Sequence, residues 1–246
     1  MTTDHSTDRL LMQVQAASGA LFALFLAVHL GNTMLAALGP AAYDAAQGQL
    51  RAVYQVPPIE VALVLGPLVV HVAASVWRML RRRRLAQPQP RALRSRLQRY
   101  SAVVLLVFIA GHVLATRGAS LLFGVWPNFD AIAFTMIWTP AYFIPYYTLF
   151  SVAALYHLIN GLALALPRLG VRRWPGLRSQ RVVFALASAG ALLLVLGVAG
   201  FAGAFSEVRF PLFQQVSVLG IGMLLIVLHQ EMSHLRRGLI QTLQLC

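Results

Sequence analysis

Apolar residues fill most of the chain in blocks of helix length, separated by short stretches where arginine, proline or glycine collects. The blocks Leu11 to Leu38, Val61 to Leu80, Leu97 to Thr116, Ala141 to Leu166, Val182 to Phe205 and Phe210 to His229 are each long enough to cross a bilayer core, which takes about 20 predominantly apolar residues. The pattern predicts an all-α transmembrane helical bundle, a single integral membrane domain over residues 1–246. It has five core spans and a sixth, set off from the fifth only by Glu207 and Arg209. Two of the blocks also share polar positions. In QAASGALFALFLAVH (Gln15 to His29) and QRYSAVVLLVFIAGH (Gln98 to His112), a Gln lies 14 positions and a Ser 11 positions before a His. This spacing predicts that one half of the bundle repeats the other.

The connections differ in kind. Residues 1–10 are polar and are expected to lie loosely at the membrane surface. Gly39 to Glu60 carries Asp44 and Arg51 and ends in Pro57-Pro58, which should launch span two at its first turn. Gly118 to Pro140 is apolar and aromatic, with Trp126, Phe129, Phe134 and Trp138, and Tyr142, Tyr146 and Tyr147 come next. That composition reads as an aromatic belt in the outer interface, in preference to a roof over a lipid-soluble ligand.

Composition enters through charge. The chain is 59% hydrophobic and 11% charged, with a net charge of +13. In a soluble protein such a balance would suggest nucleic acid, but here the basic residues sort by topology. All 20 are Arg: nine lie between spans two and three and five between spans four and five, while Arg9 precedes span one and Arg236 and Arg237 come after span six. Only Arg51, Arg117 and Arg209 fall on the other side. The positive-inside rule then places both termini and the Arg-rich loops in the cytoplasm, as for a bacterial inner-membrane protein, with membrane lipid rather than nucleic acid as the partner of that charge. Asp4 and Asp8 stand where a secretory signal would be basic, so the first helix is expected to be retained. The one cysteine is Cys246, which leaves no internal disulfide, cysteine-ligated cluster or thioether-linked haem.

Candidate chemistry centres on four histidines, one deep in each of the first four spans: His29, His71, His112 and His157. Ionisable side chains in hydrocarbon are costly and mark function by default. Counting from the nearest cytoplasmic Arg at about 1.5 Å per residue places His71 and His157 roughly 10 to 16 Å from the inner face, and His29 and His112 roughly 20 Å or more. Two layers of two suggest two haems b, each clamped by a facing imidazole pair, His29 with His112 and His71 with His157. Gly31 and Gly111 beside the outer pair, and Ser75 and Gly161 four residues after the inner one, would give a flat macrocycle room. Gln15, Ser18, Arg78 and Arg168 are candidates to receive the propionates of the inner haem. His229 reaches a similar depth but has no counterpart in the repeat, while His5 and His234 read as solvated.

Q-x-x-S-G with His29 after it, a second span ending in a basic cluster, Q-x-x-S before His112 and Y-H-x-x-x-G around His157 together resemble the dihaem cytochrome b membrane-anchor subunit of succinate:quinone oxidoreductases. That family comprises succinate dehydrogenases and quinol:fumarate reductases. The resemblance covers roughly Leu11 to Phe205. It implies five core helices, two stacked non-covalent haems b with the four histidines as axial ligands, and a flavoprotein and an iron-sulfur subunit docked on the cytoplasmic face. It further implies a quinone, expected to be menaquinone, near the outer haem with an acidic residue beside it. Asp44, Glu60 and Asp130 are the candidates for that acid, though each reads more simply as a solvated loop carboxylate, and no carboxylate is expected inside spans one to five. The sixth span departs from the family pattern. The chain would then be an electron-transfer subunit with no dicarboxylate chemistry of its own. Rival readings are a dihaem subunit of a hydrogenase or formate dehydrogenase, and a haem-free transporter or assembly protein.

Overall fold

The computed structural model describes residues 2–85, 92–171 and 174–208. The expected sixth span, with His229 and His234, lies outside the described residues. Among the described residues all regular structure is helical: α1 (Thr2–Met34), α2 (Pro40–Tyr54), α3 (Pro57–Glu60), α4 (Gly66–Leu85), α5 (Leu93–Val113), α6 (Ala119–Phe123), α7 (Phe129–Trp138), α8 (Pro140–Ala165) and α9 (Gln180–Phe201). π turns at Val61–Leu65 and Leu114–Gly118 join α3 to α4 and α5 to α6 without breaking the rod. The result is five helices long and apolar enough to span a membrane: Ser6–Leu38, Pro57–Arg81, Leu93–Phe123, Pro140–Leu169 and Gln180–Phe201. The chain is a multi-pass membrane protein.

Three boundaries move relative to the sequence pattern. Helix α1 begins at Thr2, so the polar residues ahead of Leu11 extend the first helix. Pro57 and Pro58 do open span two, because a fixed φ and a missing N–H suit a first helical turn, but this brings Glu60 inside the span. The connection after Gly39 is the helix α2 rather than a loop.

Helix α1 is central and packs against α4, α8 and α9, while α8 also carries α5. The four histidine-bearing helices therefore form a square in the order α4, α1, α8, α5. The approach of α9 to α1 rests on missing side chains. A Cβ at Gly197 would fall on the Thr33 carbonyl oxygen, and one at Gly200 on that of Ala36. Small residues at such crossings let backbones come close where no hydrophobic effect operates between helices.

At the end of the bundle away from the Arg-rich loops, α2 and α7 fold over as a cap. Phe129, Ala133 and Met136 of α7 are buried with Tyr43, Ala36, Val198 and Phe201. Ring centroids of Tyr43 and Phe201 stand 4.9 Å apart, as do those of Phe129 and Phe201. The aromatic connection is thus a packed layer on one face, not only an interfacial belt. Trp138, 73% exposed, and Tyr142, 56% exposed, keep the belt character on the other face. The start of α7 is held twice: Asn128 accepts from the Ala131 N–H at 3.0 Å and Asp44 from the Phe129 N–H at 2.8 Å. Burial raises the Asp44 carboxyl above the usual carboxylate range, and the Phe129 N–H and nearby Arg51 oppose that rise.

Gly200→Ala is expected to destabilise the protein by about 1–3 kcal/mol through overpacking, a fall in melting temperature of roughly 2–4 °C per kcal/mol. Gly48→Ala, whose Cβ meets nothing within 4 Å, should leave it unchanged or slightly higher. Thermal unfolding of the detergent-purified protein checks both.

Candidate functional site

The four histidines meet as two facing pairs. His29 of α1 and His112 of α5 have ring centroids 6.0 Å apart with planes at 69°. His71 of α4 and His157 of α8 stand 6.2 Å apart at 84°. Each pair joins opposite corners of the helical square, α1 to α5 and α4 to α8, so both lie on the bundle axis. All four rings are half-buried.

The inner pair, nearer the Arg-rich end, is tied to polar side chains on both sides. His71 Nδ1 lies 2.9 Å from the Gln15 carbonyl oxygen. A carbonyl only accepts, so Nδ1 carries the proton and the Nε2 lone pair is left for a metal. Gln15 in turn donates to Ser75 Oγ at 2.7 Å and accepts from Arg78. Ser75 donates to the His71 carbonyl at 2.7 Å, and Asp8 lies 3.7 Å from Arg78. Gly19 gives the His71 ring its place, since a Cβ there would stand 2.6 Å from Nδ1.

Around His157 a comparable network is built from different residues. Arg94 donates to Asn160, which is fully buried and donates in turn to Gln98 Oε1 at 2.6 Å. Gln98 Nε2 then donates to the His157 carbonyl at 3.2 Å and lies 3.1 Å from its Nδ1. Ser101 donates to the Gln98 carbonyl at 3.0 Å, and its oxygen sits 3.2 Å from His157 Nδ1. Every side-chain amide in this buried chain is used, which makes the network rigid.

The outer pair has aromatic neighbours instead. Phe25 stacks on His29 at 5.4 Å and Phe150 lies 5.2 Å from His112. Thr33 and Thr116 each bond back to the carbonyl of the histidine four residues earlier, at 3.1 and 2.7 Å. Just beyond His29, the buried Asn32 donates to Gln47 at 2.6 Å, and Gln47 donates to Tyr54 at 3.4 Å. Glu60 is 7% exposed and takes a bidentate pair of bonds from Arg117, both 2.7 Å. The Arg117 and Arg51 guanidiniums each lie over the Trp126 ring, 5.8 and 5.6 Å from its centroid.

Of the residues expected from sequence to meet the inner propionates, Gln15 and Arg78 lie beside His71. Ser18 spends its hydroxyl on the Val14 carbonyl at 2.6 Å within its own helix. Arg168 is exposed on the 3₁₀ turn Leu166–Leu169. Of the three candidate acids, Asp44 caps α7 and Asp130 lies in the first turn of α7. Glu60 is buried in the opening helical turn of span two, neither solvated nor in a loop. Three residues have roles that the sequence pattern does not announce: Arg94, which reads only as loop charge although it lies one turn before Gln98; Asn160, three residues after His157; and Gly19, next to the Ser of the shared motif.

This donor set fits iron porphyrin. Two imidazoles supply two of six positions and a macrocycle the other four. With a metal–nitrogen bond of about 2.0 Å and each ring nitrogen roughly 1.1 Å from its centroid, two imidazoles holding one metal between them would stand about 6.2 Å apart. The observed 6.0 and 6.2 Å agree. No family model, curated protein or solved structure matches the chain.

Asn160→Leu should remove the acceptor of Arg94 Nε and the donor to Gln98 Oε1, at about 1–3 kcal/mol for each group. The expected result is a melting temperature lower than that of Ser18→Ala, whose hydroxyl bonds only within its own helix.

Proposed function

We propose that the chain is the dihaem cytochrome b membrane-anchor subunit of a succinate:quinone oxidoreductase. The observation that carries this reading is the pair of facing imidazole pairs, each at the ring spacing of two axial ligands on one iron and both on the axis of one bundle. Haem bound there would supply one-electron redox chemistry between an iron-sulfur partner at the Arg-rich end and a quinone in the membrane.

The chain's own residues hold and orient. His29 and His112 would hold the outer haem b, and His71 and His157 the inner one. Gln15, through the bond from His71 Nδ1, fixes the tautomer that presents Nε2. Arg78 and Arg94, at the Arg-rich end of the inner pair, are the cations placed to meet inner propionates. Gln15 beside His71 and Gln98 beside His157, each joined to its histidine though through different atoms, support an internal repeat of two haem-binding hairpins. With the Arg-rich loops in the cytoplasm, a flavoprotein and an iron-sulfur subunit would dock on that face, as in a bacterial inner membrane, and succinate or fumarate chemistry would be theirs.

For the quinone, menaquinone in this reading, the outer layer is the favoured side. Antiparallel helices advance equally, by about 1.5 Å per residue, so with His71 beside Gln15 the level of His29 falls near Pro57. Glu60 is within one turn of that level. It is therefore the best placed of Asp44, Glu60 and Asp130 to exchange a proton with a quinone there.

Replacing His29 or His112 by Ala should remove one haem b per chain and spare the other, and replacing His71 or His157 should remove the second. Reduced-minus-oxidised spectra and pyridine haemochrome assay of the purified variants check this. Loss of both haems from every variant alike would contradict two separate sites, and co-purification with hydrogenase or formate dehydrogenase subunits would move the chain to another complex.

A further inference from the structure

The helical square has one open side. Contacts run from α4 to α1, α1 to α8 and α8 to α5, while α4 and α5 make few close approaches. The span containing α5 is accordingly the most exposed, with 6% of its apolar window buried. Across that open side, at the outer end, a bidentate ion pair joins the two spans: Arg117 Nε and a terminal nitrogen each bond a Glu60 oxygen at 2.7 Å. The pair is well shielded, its side chains 16% and 10% exposed, and a third bond from Arg117 to Ser120 Oγ at 3.0 Å fixes the guanidinium.

Both partners sit at a π turn. Glu60 directly precedes Val61–Leu65, and Arg117 lies within Leu114–Gly118, which opens two residues after His112. A π turn holds one residue more than an α turn, so it rotates the next stretch of helix by about 100° relative to an uninterrupted α-helix. Two such irregularities facing one another, each next to one half of a buried ion pair, mark the place where the rotation of the two spans is set. On α5 the turn follows His112, so it sets the rotation of the His112 stretch relative to Arg117.

We propose that the Glu60–Arg117 pair is a latch across the open side of the bundle, and that it positions the His112 imidazole opposite His29. Arg117 and Glu60 act through the backbone as positioning residues. The inference rests on the haem reading only for what the latch positions; the latch itself is a property of the two spans. It is specific to the outer layer, because the inner histidines have their own side-chain and backbone ties at Gln15, Gln98 and Ser101.

The test compares Arg117→Gln, Glu60→Gln and the charge-swapped double variant Glu60→Arg/Arg117→Glu in the full-length purified protein. Two readouts are used: low-spin ferric haem signals by electron paramagnetic resonance, and the distance between nitroxides at positions 63 and 114, both exposed on the flanking spans. The outer signal is identified as the one lost in His112→Ala. In Arg117→Gln we expect that signal to shift or to fall by at least half with the inner signal unchanged. The nitroxide distribution should broaden by several ångströms, and the swap should recover at least half of both effects. If Arg117→Gln does not fold, Glu60→Gln reads the same quantities with one hydrogen-bond acceptor kept. Unchanged signals and distances in the single variants would overturn the latch, and equal loss of both haem signals would overturn its specificity for the outer pair. A wild-type protein without haem signals would end the haem reading, while broadening in Arg117→Gln would still support the latch.

Discussion

The structure depends on two imidazoles facing each other, twice, on the axis of a membrane bundle. Imidazole in hydrocarbon is tolerated when its nitrogens are occupied, and a ring pair about 6 Å apart is too far for a direct hydrogen bond between them. On the inner pair His71 Nδ1–H donates to the Gln15 carbonyl, which leaves its Nε2 lone pair free, and Ser101 Oγ can accept the His157 Nδ1 proton with the same result. Much else in the fold serves to keep these rings where they are: Gly19 gives up a side chain to make room for His71, and Asn160 is wholly buried to hold Gln98.

The two layers solve the same problem differently. The inner layer lies near the arginines and uses a polar scaffold that ends in Arg78 and Arg94. The outer layer, farther from that surface, is braced by Phe25 and Phe150 and by an ion pair between spans. Breaking one partner of a buried ion pair is strongly destabilising because it strands a charge, so Glu60 and Arg117 constrain each other.

Much of this is legible in the sequence. The five spans can be read from apolar run lengths, and the ring pairs that meet are those that counting from the arginines places at equal depth. The parts that escape such a reading do so for physical reasons. Glu60 reads as a loop residue because the apolar run that defines span two starts only at Val61, one turn after the helix opens at Pro57. The buried face of α7 is hidden because Phe129 and Trp138 belong to one aromatic class although one faces the core and the other faces out. Arg94 disappears into a run of arginines whose net charge explains topology whatever any single member does. Side-chain partnerships such as Asn160 with Gln98 depend on helix rotation, and apolar run length carries no information about rotation.

The most direct measurement is the haem b content of the full-length protein, purified in detergent after expression with ample haem supply. The account predicts two haems b per chain, released intact by acid-acetone extraction because no cysteine anchors them. A colourless preparation, or one haem per chain under those conditions, would contradict it.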